Sequence, residues 1–77
     1  VSSAPIVYID AVGREVFVDK RRVLKDGGRV MRYGVFTRLA PYVVTKVGGI
    51  PLTEQRREAS RLLKEHANRL GWKVKEA

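Results

Sequence analysis

No cysteine occurs among the 77 residues, so neither a disulfide framework nor a thiolate metal site can hold this fold or do chemistry in it. Histidine is nearly missing as well: His66 stands alone, and a two-histidine metal site is excluded. Asn and Gln occur once each, as Asn68 and Gln55, while arginine outnumbers lysine ten to six. That scarcity of labile residues points to a heat-adapted source. No apolar run approaches the roughly 20 residues of a membrane-crossing helix. The opening residues have neither the basic start nor the apolar stretch of a signal peptide, so an intracellular, cytoplasmic location is expected. Acids are also short in supply. Eight Asp and Glu face sixteen Lys and Arg, which leaves a formal charge of +8 on a small surface and makes polyanions the natural partners.

What remains is enough for one domain over residues 1–77. A chain this short buries only about 60% of the surface its unfolded form exposes, which disfavours a deep active-site cavity. Hydrophobic residues make up 44% and charged residues 31%, the balance of a folded domain and not of a disordered tail.

Strand-like segments fill about residues 6–47. Ile6 to Asp10 and Glu15 to Asp19 are rich in Val, Ile, Tyr and Phe, and Ala11-Val12-Gly13-Arg14 between them reads as a hairpin turn. Lys20 to Lys25 then carries four basic residues, of which Lys20 to Arg22 could be presented together by a loop or strand end. Asp26-Gly27-Gly28 gives a strong turn signal, and Arg29 to Thr37 reads as the third strand. Pro41 punctuates the chain before a fourth run, Tyr42 to Val47, which Gly48-Gly49 ends as a hinge or cap. Strands three and four are expected to pair antiparallel.

One helix is predicted over about residues 53–70, with Thr53 as N-cap and Gly71 at the C-terminal end. Ala59, Leu62, Leu63, His66, Ala67 and Leu70 recur at the spacing of a single apolar face, which should dock on the sheet. Arg61/Glu65 and Glu65/Arg69 stand i, i+4 on the solvent side. Trp72 is expected to pack back on the helix end. The fold class is therefore α+β: a small antiparallel β-sheet of three to five strands, or a partly open barrel, packed by one C-terminal α-helix.

Charge concentrates in one quarter of the chain. Residues 20–38 hold seven cations, Lys20, Arg21, Arg22, Lys25, Arg29, Arg32 and Arg38, against the single acid Asp26. A run this one-sided repels itself unless a polyanion is near, although a solubility or heat-adapted surface would also be charged. Strand alternation puts Met31, Tyr33 and Val35 on one face, read as core, with Val43, Thr45 and Val47 inward beside them. Arg32, Phe36, Arg38, Tyr42 and Lys46 then share the outer face. Guanidinium groups match phosphates and aromatic rings stack on unpaired bases, so this mixture suits single-stranded or looped nucleic acid. The same rings also suit packing against a neighbouring strand or subunit, and a one-residue slip in register would exchange the faces. The Lys20 to Arg22 cluster is expected to present all three side chains together.

Catalytic constellations are missing. His66 lies on the apolar helix face, and Ser2, Ser3 and Ser60 stand in no recognisable triad or nucleophile elbow. No catalytic residue, metal, cofactor, membrane or small-molecule substrate is expected. In size, charge and element order the chain resembles the small Arg-rich proteins of archaeal ribosomes. It is also similar in outline to the small basic chromatin proteins of thermophilic archaea, which combine a β-sheet with a C-terminal helix. No motif carries either likeness, so no family residue is transferred. The expected function is non-catalytic nucleic-acid binding, with RNA favoured over DNA, as a structural component of a ribosome or other ribonucleoprotein. The alternatives are a DNA-binding chromatin protein that wedges Val30, Met31 or Phe36 between base steps, and a protein-interaction subunit using Phe36, Tyr42 and Val44.

Overall fold

A computed structural model describes residues 6–75; Ser2 and Ser3 lie outside that range. Five strands form one open antiparallel sheet: β1 (Tyr8–Ile9), β2 (Glu15–Lys25), β3 (Gly28–Ala40), β4 (Val43–Lys46) and β5 (Lys73–Val74). Their order across the sheet is β4-β3-β2-β1-β5. The helix α1 (Arg56–Leu70) lies between β4 and β5 in the chain and covers one face of the sheet, on β2 and β3. This is the expected α+β architecture, with an open sheet in place of a barrel.

Local chemistry explains the turns. Asp26 and Gly27 both take positive φ, 50° and 80°, as the two central residues of a type I′ hairpin turn must. At the first turn the Asp10 carboxylate accepts from the amides of Val12 and Arg14, which holds the loop closed around Gly13. Gly71 ends the helix in the left-handed region at φ 77°.

The core lies between sheet and helix. Tyr8, Val16, Val35, Ile50, Leu63 and Ala67 form it, with Val18, Val47, Leu62 and Trp72 packed against its margin. Ala59, Leu63 and Ala67 are the buried helix positions, and the two alanines let the helix approach the strands closely. Trp72 packs as expected, tilted against His66 with 6.1 Å between ring centres. Leu70 is exposed, one turn beyond the end of the buried stripe.

Several expectations are corrected. Lys20–Arg22 lies neither in a loop nor at a strand end: β2 continues through Lys25 and pairs residue by residue with β3, from Val16 opposite Thr37 to Lys25 opposite Gly28. Thr53 is not the N-cap. Gln55 takes that position without a side-chain cap, while Thr53 pairs with Tyr33 as an isolated bridge and its hydroxyl donates to the carbonyls of Gln55 and Tyr33. The Arg61/Glu65 pair forms as expected, with Arg61 also reaching Glu58, whereas Arg69 turns to His66 and not to Glu65. Gly48-Gly49 forms a turn separated from the helix by the buried Ile50 and the extended Pro51-Leu52-Thr53.

Candidate nucleic-acid interface

The long β2–β3 hairpin outruns its neighbours. β1 reaches β2 only at Glu15 and Val16, and β4 reaches β3 only from Phe36 to Ala40. The Thr53 bridge stops at Tyr33. Above Lys20 and Tyr33 no other described strand pairs with these two, and they continue as a two-stranded arm about 17 Å long at roughly 3.4 Å per residue.

Side chains alternate across the arm. Val16 and Val18 lie on the helix side, so Lys20, Arg22 and Leu24 continue that side, joined across the ladder by Tyr33, Met31 and Arg29. The opposite side carries Asp19, Arg21, Val23 and Lys25, joined by Gly34, Arg32, Val30 and Gly28. Lys20 to Arg22 therefore does not present three cations together: Arg21 points away from its two neighbours. Met31, expected in the core, sits on the arm beyond the helix and is 37% exposed.

The two sides differ in how their cations are used. Arg21 Nη1 donates to Asp19 Oδ2 at 2.8 Å, and its guanidinium carbon lies 4.2 Å from the Phe36 ring centre. Burial works to raise the Asp19 pKa, but hydrogen bonds from Arg21 and the Lys20 amide, with the charges of Arg21 and Arg56, bring it below its ordinary value. Arg32 is half-buried and lies 3.6 Å from Glu54. Arg38 pairs with Glu15 at 3.2 Å, donates to the Pro41 carbonyl, and stands 5.5 Å over the Phe17 ring. Among the described residues Lys20, Arg22, Lys25, Arg29 and Lys46 have no ion-pair partner, and neither do Arg14, Arg56, Arg57, Lys64, Arg69 and Lys73 elsewhere on the surface. The arm's helix side, with Lys20, Arg22 and Arg29, carries no acid at all.

Arg32, Phe36, Arg38 and Lys46 do share the outer face, as strand alternation predicts. Phe36, however, is only 4% exposed. Arg21 covers its ring, and Leu52 lies beside it over Gly34, where an added Cβ would come within 2.5 Å of the Leu52 methyl. Phe36 thus follows the packing reading and offers no open ring. Tyr42 leaves the face altogether: it sits in the β3–β4 turn, 97% exposed.

Arg56 was missed at the sequence level. It opens the helix and holds its guanidinium 5.3 Å from the Tyr33 ring, directly across the ladder from Lys20. The signal was Arg56-Arg57 in a first helical turn, where the macrodipole disfavours cations. Leu24, 81% exposed between Arg22 and the turn, is not singled out by the sequence, where no period-two pattern is assigned to its segment.

At the far end, an open depression of about 470 Å³ between β1 and β5 is lined by Asp10, Gly71, Lys73 and Lys75. Among the described residues no group of three or more metal-ligating side chains gathers, and no helix is long and apolar enough to cross a membrane. No protein family, curated protein or solved structure matches this chain.

Proposed function

We propose that this protein binds the phosphate backbone of a nucleic acid through the β2–β3 arm and catalyses no reaction. One observation carries the reading: four of the eleven described cations without an ion-pair partner share one two-stranded arm, Lys20, Arg22 and Arg29 on its acid-free side and Lys25 at the tip. Unpaired like charges side by side cost free energy in the isolated protein, and phosphate oxygens offset that cost while releasing counterions. The long β2–β3 strands also have free edges, and cationic side chains there discourage edge-to-edge aggregation, which is the competing account of the charge.

Two polymers fit. RNA in a ribosome or other ribonucleoprotein is the expectation from the sequence, and it drew on outer aromatic rings for base stacking. With Phe36 covered, that support narrows to Tyr42 and to the charge itself. Duplex DNA is the second reading, favoured by the two-stranded form of the arm, since the major groove admits such a ribbon.

Fluorescence anisotropy with labelled single- and double-stranded RNA and DNA over 50 to 200 mM salt tests the shared reading. Four phosphate contacts on duplex predict a log–log salt slope near −3.6, at roughly −0.9 per contact. No binding to any of the four probes at 50 mM salt overturns it. Co-sedimentation with ribosomal subunits that RNase abolishes would assign the RNA form.

A further inference from the structure

The helix side of the arm carries more than charge. Lys20 stands opposite Tyr33, Arg22 opposite Met31, and Leu24 opposite Arg29. The Arg22–Arg29 diagonal therefore crosses a Leu24–Met31 diagonal, each spanning about 7 to 8 Å. Leu24 and Met31 take no part in the core, and both are exposed. An isolated exposed leucine means little. Here two apolar side chains sit side by side within an unpaired cationic surface, on strands that gain nothing from their exposure.

We infer that this face seats in the major groove of B-form duplex DNA, with Lys20, Arg22 and Arg29 on phosphates and Leu24 and Met31 against base edges, thymine methyl groups above all. The inference rests on the nucleic-acid reading and names its partner. Three physical facts select that partner.

Phosphate offers nothing to an apolar side chain, whereas the thymine methyl group lies in the major groove. Two strands about 4.8 Å apart fit a groove about 12 Å wide, while the A-form RNA major groove is deep and narrow. Single-strand recognition uses open stacking platforms; the rings of Phe36, Phe17 and Tyr33 lie under Arg21, Arg38 and Arg56, and the open ring of Tyr42 stands off the arm in the β3–β4 turn. An arm of about 17 Å spans about five base-pair steps of 3.4 Å.

The test uses the full chain and labelled 20-base-pair mixed-sequence DNA duplex, RNA duplex of the same sequence, and single-stranded DNA. The DNA duplex should bind tightest. The double variant Leu24→Ala, Met31→Ala should lose about tenfold in duplex affinity with its salt slope unchanged, since it removes base contacts and no charge. Arg22→Ala with Arg29→Ala should instead make the slope shallower by about 1.8. Dimethyl sulfate footprinting of the unaltered protein should protect guanine N7, which faces the major groove.

Unchanged duplex affinity in the Leu24/Met31 variant, unprotected N7 on bound duplex, or equal or tighter binding to RNA duplex or single strand overturns this inference while leaving the nucleic-acid reading intact. Failure of the unaltered protein to bind any probe at low salt overturns both. Melting temperatures of both variants separate lost contacts from lost folding.

Discussion

Arg21 lies over Phe36, its guanidinium carbon 4.2 Å from the ring centre, while the adjacent Arg22 points to the opposite side of the arm without an ion-pair partner among the described residues. Neighbouring arginines in one basic run thus do different work. The first seals an apolar ring on a face no helix covers, and the second is left for a partner.

Arg21→Ala should therefore lower stability by about 1 kcal/mol, the scale of an exposed cation–π contact with a weak surface ion pair. For a domain of this size that is a fall of roughly 4 to 8 °C in melting temperature. Arg22→Ala should change stability by no more than about 0.5 kcal/mol and weaken polyanion binding at low salt. Thermal denaturation and anisotropy on both variants check the contrast, and equal melting temperatures would remove the structural role assigned to Arg21.

Leu63 is 2% exposed at the centre of the helix–sheet contact. Leu63→Ala leaves a cavity there and should cost about 2 to 5 kcal/mol. Leu70→Ala, at the exposed end of the same helix, should cost about 0.5 kcal/mol or less. Urea denaturation of the two variants measures both, and a similar midpoint for each would place the buried stripe elsewhere.

Gly34 is buried beneath Leu52, and a Cβ there would come within 2.5 Å of the Leu52 methyl and 3.3 Å of the Phe36 ring. Gly34→Ala should destabilise by about 1 to 3 kcal/mol as Leu52 is displaced. Leu52→Ala in the same chain should relieve part of that cost, so the double variant should be more stable than the sum of the single effects predicts. Strict additivity would mean that the two residues do not meet.

Glu15 on β2 joins Arg38 on β3 to Lys75, the residue just beyond β5. Lys75 hydrogen-bonds to it and attracts it, burial opposes this, and Arg38 adds weaker contributions of the same two kinds as Lys75; the balance holds its carboxyl below the usual glutamate range. The folded protein therefore holds this proton less tightly than the unfolded chain does. The contribution is fully present above the unfolded pKa and is lost as pH falls through the lower, folded value. Melting temperature should drop on acidification through the carboxylate range, and Glu15→Gln should flatten part of that drop. High salt should shrink the difference between the two proteins, because the pairs are at the surface.

Much of the fold was legible because it depends on local chemistry. Asp26-Gly27 and Gly71 take left-handed backbone that few other residues adopt at low cost, so they mark turns wherever they fall. The helix face was readable from Ala59, Leu63 and Ala67, whose spacing leaves one side to bury. The shared outer face of Arg32, Phe36, Arg38 and Lys46 followed from the period of two. The helix cap lies two residues further on, at Gln55, because Thr53 satisfies a cap pattern while its backbone is engaged with Tyr33, a residue 20 positions earlier.

By itself the sequence determined the sign and concentration of the charge, the turn positions, the amphipathic helix and the alternation of each strand. All of these follow from groups within a few residues of one another. Only the tertiary structure decided that Lys20–Lys25 extends β2 along β3, that Phe36 lies under Arg21 and beside Leu52, and which cations remain without partners. Strand pairing joins distant residues, and with a side-chain period of two its register alone chooses the face of every residue. The same basic run would be a loop, a sealed surface or an open arm depending on a pairing that no local pattern records.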